Sequence, residues 1–132
     1  MRRSNRIIIR DEQSLSAAVL EASRVAQDMG LSRVAAQQLA TVASELARNI
    51  LKYAGRGDIT LENLEHKGRK GVRLIASDHG PGIEDIERAM AEHYSTGGTL
   101  GLGLSGAQRM MDDFTVTSQR GQGTRVEAVK WQ

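Results

Sequence analysis

The sequence predicts a two-layer α/β domain: one mixed, mainly antiparallel sheet with helices on one face. Two observations carry this. Strand-like and helix-like periodicities alternate through the first half of the chain, which builds layers of both kinds. The last two strand-like runs are separated only by Gly121-Gln-Gly123, a spacing that closes an antiparallel hairpin. With 132 residues the chain can bury one core but not two, so a single domain over residues 1–132 is expected.

The elements follow in order. Ile7-Ile8-Ile9, flanked by arginines, reads as a first strand. Ser14 is a plausible N-cap for a helix with Leu15, Val19, Ala22, Val25, Ala26 and Met29 on one side, stopped by Gly30. Ser32 caps a second helix whose apolar stripe is Leu39, Val42, Ala43, Leu46, Ile50 and Tyr53, ending at Gly55. Residues 57–66 and 72–77 read as strands joined by the charged, turn-forming stretch His66 to Gly71. Ile83 to Ala91 reads as a short helix, His93 to Gly103 as a polar loop, and Leu104 to Met111 as a helix. Residues 114–118 and 124–130 form the closing hairpin.

Composition removes several function classes. The chain has no cysteine, so a disulfide framework, a thiolate metal site and a cysteine nucleophile are all excluded. No run approaches the roughly 20 apolar residues of a membrane span, and no signal peptide opens the chain. A cytoplasmic protein without membrane attachment is expected. The net charge is +2, and Arg2, Arg3, Arg6 and Arg10 cluster near the start. One Phe, one Trp and two Tyr offer few stacking platforms, so this reads as a solvated basic edge and no nucleic acid is expected.

Three segments carry chemistry. Glu45 and Asn49 are four residues apart, which sets them on one face of the second helix, at the flank of its apolar stripe. An amide oxygen at Asn49 suits Mg²⁺, which keeps several waters and accepts phosphate oxygens as further ligands. Glu45 is then available as a base. The plain alternative is two polar residues on an amphipathic helix. Asp78-His-Gly80-Pro-Gly82 follows the apolar run 72–77, and strand C-terminal ends are where α/β sheets place ligand-binding groups. A carboxylate only accepts hydrogen bonds, so Asp78 suits the exocyclic amine of adenine and disfavours a keto oxygen. Gly80 and Gly82 permit positive φ and leave room for a purine, while Pro81, the only proline, stiffens the turn. An ordinary strand-to-helix turn has similar chemistry.

The third segment, Gly97 to Gly106, contains Gly101-x-Gly103-x-x-Gly106. A dinucleotide fingerprint needs a strand directly before it; here a polar loop precedes it, late in the chain. No Gly-Lys-Ser/Thr exists for a P-loop, and no protein-kinase catalytic loop follows. A glycine-rich lid running into a helix N-terminus remains, and such an end favours phosphate. Metal, base and phosphates together describe a bound nucleotide; a plain glycine loop is the alternative for this segment alone.

These motifs resemble those of the ATPase superfamily of gyrase, the heat-shock chaperone, histidine kinases and the mismatch-repair ATPase (GHKL), which implies the Bergerat ATP-binding fold. Ser44-Glu-Leu-Ala-Arg-Asn-Ile-Leu-Lys-Tyr-Ala-Gly55 looks like the N-box of the small serine kinases that regulate bacterial sigma factors. Asp78 to Ile83 looks like the first glycine box, Gly101-Leu-Gly103 like the second, and Gly121-Gln-Gly-Thr124 like the closing turn. The likeness runs over roughly residues 7–131. Ser-Glu-Leu-Ala-Arg-Asn, Met111-Asp-Asp-Phe114 and Ala128-Val-Lys-Trp131 are most similar to the short RsbT-type switch kinases of the stress pathway. His79 stands where related chains often carry Gln, Asn or Gly.

The resemblance implies a serine/threonine-protein kinase using ATP and Mg²⁺. Asp78 would meet the adenine amine, with Thr124 supporting it directly or through water. Asn49 would hold the metal, Gly80, Gly82, Gly101 and Gly103 would line base and phosphates, and Glu45 would accept the proton of an acceptor serine. Arg48 and Lys52 would steady phosphate charge or dock a partner, or simply be solvated. The implied partners are a STAS-domain antagonist carrying the serine and a phosphatase activated when the kinase is released. Two alternatives stay open: an anti-sigma kinase that binds a sigma factor directly, and an ATP-sensing module without transfer.

Overall fold

The computed structural model describes residues 3–82 and 103–132. Strand β1 (Ser4–Ile9) leads into helix α1 (Glu12–Asp28) and helix α2 (Arg33–Tyr53). Strands β2 (Gly57–His66) and β3 (Arg69–Asp78) form a hairpin, followed by helix α3 (Gly103–Met110) and strands β4 (Asp113–Gln119) and β5 (Gly123–Trp131). The sheet order is β1-β2-β3-β5-β4. Expected to be mixed and mainly antiparallel, it is antiparallel at every pairing among the described residues. The expected helix 83–91, the loop 93–102 and Gly101 lie outside the described residues.

The helix ends follow local hydrogen-bond chemistry. Ser14 is not the N-cap of α1; Asp11 is. Its carboxylate accepts from the Ser14 N–H at 2.8 Å, and the Ser14 hydroxyl accepts from the Asp11 N–H at 3.0 Å, a reciprocal box that satisfies two orphan donors. These bonds from Ser14, backbone first and then side chain, hold the Asp11 carboxyl below its ordinary value of 3.8. Ser32 caps α2 as expected, accepting from the Ala35 N–H at 3.1 Å. Gly30 and Gly55, at φ 76° and 80°, end the two helices.

The inward stripe of α2, Leu39, Val42, Ala43, Leu46 and Ile50, is buried against Ile9, Ile59, Leu61, Val72, Leu74 and Val126 of the sheet, with Leu15, Ala22 and Val25 of α1 in the same core. Tyr53 was expected in that stripe and is 47% exposed. Ile50 is the last stripe residue in the core; one turn later Tyr53 stands at the helix end, with the Lys52 ammonium 5.2 Å over its ring. The link between β2 and β3 is shorter than the sequence suggested. Only Lys67 and Gly68 form the turn, both at positive φ (53° and 80°), the two-residue form that matches strand twist. Arg69 to Gly71 therefore join β3. On the outer face, directly paired Glu62 and Arg73 form an ion pair at 3.2 Å. Helix α3 is tied to β5 at its C-terminal end, where Lys130 Nζ donates to the Met110 carbonyl at 2.7 Å.

Candidate active site

The register places one residue of every strand in a single row: Ile9 beside Gly57, Gly57 beside Asp78, Asp78 beside Thr124, and Thr124 beside Ser118. Directly paired residues share a face, and Ile9 is fully buried, so the row faces the helices. Two strands with no sequence proximity thus bring the Asp78 carboxylate and the Thr124 hydroxyl side by side. Asp78 is the last residue of β3, as expected of a ligand-binding aspartate, and is half-buried.

The turn after Asp78 is held in place by backbone contacts. Asp78 Oδ1 accepts from the Gly80 N–H at 2.9 Å, which fixes the carboxylate's rotation. The Gly121 N–H donates to the Pro81 carbonyl at 2.7 Å, joining this turn to the β4–β5 hairpin. Gly82 has φ 79°, and a Cβ there would fall 2.3 Å from the Gln119 carbonyl oxygen. A Cβ on Gly123, at φ 105°, would fall 2.0 Å from the Asp78 carbonyl oxygen. Only glycine satisfies either position. Gly80 lies against Ala54, where an added Cβ would be 2.6 Å from the alanine Cβ, so the turn also rests on the end of α2.

Helix α2 supplies the second part. Glu45 and Asn49 are both half-buried, and Arg48 between them is exposed. Glu45 Oε1 accepts from the Gly103 N–H at 3.1 Å, across 58 residues of sequence. Gly103 is the first residue of α3, at φ 66°. The carboxylate therefore sits at the end of α3 that the helix dipole makes favourable for anions. Glu45 and Gly103 are brought together directly; Asn49 lies one turn along the same helix. Gly101 is outside the described residues.

Three residues of this site were not singled out from the sequence. Gly57 leaves room for Asp78: a Cβ there would lie 2.4 Å from the Ser77 carbonyl oxygen, 2.9 Å from Ile50 Cγ2 and 3.1 Å from Asp78 Cβ. Gly123 was read only as part of a turn. Ser118 Oγ donates to the Gly123 carbonyl at 3.0 Å and lies 2.9 Å from Thr124 Oγ1. Its signal was parity: Phe114, Val116 and Ser118 alternate on one face of β4, and a hydroxyl ends an apolar series. A groove of about 440 Å³ between α1 and α2, lined by Ser23, Gln27, Arg33 and Gln37 among others, includes none of these residues.

The donor and acceptor set fits a nucleotide. Asp78 offers an acceptor that would suit a base edge, and Asn49 one neutral oxygen that would suit Mg²⁺ completed by phosphates and water. The chain matches the model of the histidine kinase-, DNA gyrase B- and HSP90-like ATPases over residues 34–131. It belongs to that family. It is 44% identical over 123 residues to the serine/threonine-protein kinase RsbT of Bacillus subtilis, covering 93% of this chain and 92% of that one. The anti-sigma F factor of Thermoanaerobacter sp. strain X514 is 28% identical over 124 residues, 90% of this chain and 85% of the relative. A solved structure of the mycobacterial sensor histidine kinase MprB shares the fold at a TM-score of 0.58 and 15% identity, covering 99% of this chain and 97% of that chain. Among the described residues no helix is long and apolar enough to cross a membrane.

Proposed function

We propose that this ATPase-family chain is a Mg-ATP-dependent protein serine kinase of a partner switch. It phosphorylates a serine on a STAS-domain antagonist and, once released, binds and activates a phosphatase. ATP binding follows from the family, and protein serine/threonine kinase activity from the 44% identity to RsbT over nearly the whole of both chains. The observation that best supports catalysis is the Glu45 carboxylate at the start of α3, 3.1 Å from the Gly103 N–H. A proton acceptor there would lie beside the terminal phosphates if they bind at that helix end.

The roles divide by position. Asp78, with Thr124 beside it, takes the adenine amine, and Gly80 and Gly82 leave the base room against the backbone. Asn49 would hold Mg²⁺, which when bound neutralises charge on the phosphates. Gly101 and Gly103 would line those phosphates. Glu45 accepts the proton of the incoming serine hydroxyl as its oxygen bonds to the γ-phosphorus of ATP and the bond from that phosphorus to the bridging oxygen breaks, releasing ADP. Phosphoryl transfer rests mainly on positioning and charge stabilisation, so a small domain with one base suffices. A new phosphate at the antagonist's interface adds close to two negative charges, which opposes rebinding. A second reading, a kinase that also binds a sigma factor directly, has the anti-sigma F factors behind it, at 28–34% identity.

The test is transfer of radiolabelled phosphate from ATP to candidate STAS proteins, scored as phosphoserine, with co-elution measured before and after ATP. The parent protein should label the antagonist and leave it. Glu45→Gln should lose about 10²–10⁴-fold in transfer rate, the worth of a general base, while retaining ATP affinity and staying bound to the antagonist. Equal rates in parent and variant would remove Glu45 from the mechanism. Release of the variant by ATP without phosphoserine would instead make the chain an ATP-sensing module, and co-elution with a sigma factor would favour the second reading.

A further inference from the structure

The groove between α1 and α2 shares no residue with the Asp78 pocket, and its chemistry is one-sided. Leu31 gives it a buried apolar floor, Ala36 and Ala40 line the α2 side, and Ser23, Gln27 and Gln37 add uncharged polar groups. Leu20 is 72% exposed, and helical spacing puts it on the same side of α1 as Ser23 and Gln27. Arg33 is the one charged residue of the lining. It is exposed and has no partner among the described residues, while Glu21 and Asp28 of α1 both pair with Arg24. Arg33 is also the first residue of α2, whose first turn holds no acid. A cation there opposes the helix dipole, which favours negative charge at that end. Local stability would place another residue here, and a break with a local rule points to function.

We propose that this groove docks the phosphoacceptor protein, through a helix that sets an apolar side chain between α1 and α2 and a carboxylate against Arg33. The inference rests on the kinase reading given above. Two helices side by side leave a channel that the side-chain ridge of a third can fill. The apolar floor and Leu20 match an aliphatic ridge, and the unpaired guanidinium matches a carboxylate. Nearness to Glu45 selects the acceptor among protein partners. Ala40, in the lining, stands five residues before Glu45 on α2, about 8 Å along the axis. A domain seated in the groove therefore has surface within reach of Glu45, which a substrate needs and an activated phosphatase does not. Residues 41–44 between them carry no charge and the exposed Arg48 follows, so an acidic surface meets no repulsion on the way.

The probe is the STAS protein that the parent phosphorylates, in steady-state transfer assays at saturating ATP. Arg33→Ala should raise KM for this acceptor about 3-fold, the worth of an exposed ion pair. Arg33→Glu should raise it about tenfold or more, because like charges then face each other. In both variants kcat and calorimetric ATP affinity should hold. The melting temperature of Arg33→Glu should hold or rise, since an acid suits the first turn. Ala40→Leu keeps a good helix former but fills the groove, and should raise KM about tenfold at unchanged ATP affinity. A photo-crosslinker at Gln37 should capture an acidic helical segment of the acceptor. Replacing the carboxylate of that segment by lysine should restore the KM of Arg33→Glu, a rescue that a merely structural arginine would not give. Unchanged KM in Arg33→Glu and Ala40→Leu, or a fall in ATP affinity alongside, overturns the inference. Loss of phosphatase binding with acceptor KM intact also overturns it and gives the groove to that partner. If the parent labels no STAS protein, the kinase reading fails and the inference with it. The parent's own activity separates these failures.

Discussion

At one end of β3, Gly71 lies under the indole of Trp131; at the other, Gly57, Gly82 and Gly123 surround Asp78. A Cβ on Gly71 would fall 2.6 Å from the indole, and the Arg69 guanidinium covers the same ring at 5.8 Å. There the place of the missing side chain is taken first by an aromatic, with the Lys130 carbonyl oxygen 2.8 Å away behind it. Around Asp78 the missing side chains are filled by main chain: the Ser77, Gln119 and Asp78 carbonyl oxygens lie where Cβ atoms would be. Close approach of strands and turns leaves the carboxylate and the Thr124 hydroxyl facing the helices without bulk between them. One glycine device therefore gives packing at the first end and presented acceptors at the second.

The largest effect expected of this contrast comes from Gly123→Ala. Its φ of 105° and a Cβ 2.0 Å from the Asp78 carbonyl leave no local adjustment. Loss of about 3 kcal/mol or more is expected, together with ATP binding, by thermal unfolding and calorimetry. A variant that folds and binds ATP as the parent does would break the idea that backbone contact builds the pocket.

Asp78→Asn comes next and changes chemistry without shape. The Asn oxygen must stay on the Gly80 N–H, which turns the amide NH₂ toward the adenine amine, donor against donor. ATP affinity should fall about 10- to 100-fold, the range for a hydrogen bond to a charged group, with the melting temperature little changed. Equal ATP binding in variant and parent would remove Asp78 from the base site.

Gly71→Ala gives the smallest effect and sharpens the comparison most. It should cost about 1–2 kcal/mol by crowding Trp131 and the Lys130 carbonyl, yet leave nucleotide affinity intact. A change in nucleotide affinity would mean that the two ends are coupled through β3 and β5.

Most of the architecture was legible before any coordinates. Ser32 and Gly55 mark the ends of α2, 57–66 is a strand at those bounds, and the hairpin around Gly121-Gln-Gly123 forms where expected. Errors fell where two local solutions compete. Asp11 and Ser14 can each cap a helix, and which does so depends on the path of the chain leaving β1. Lys67 and Gly68 turn the chain alone, because Gly71 can continue β3 once Trp131 lies over it.

By itself the sequence determined the chemical kinds in the site: an acid and an amide one turn apart on a helix, an aspartate ending a strand, and glycines before a third helix. Periodicity and side-chain chemistry are local, so these could be read within a few residues of each one. Tertiary structure alone decided which groups meet. Glu45 reaches Gly103 across 58 residues, and Asp78, Thr124 and Ser118 become neighbours only through the β3–β5–β4 order. Strand order and register are settled by the burial of a whole sheet face rather than by any single segment. That is why the meeting of the Asp78 carboxylate with the Thr124 and Ser118 hydroxyls appears only in the assembled fold.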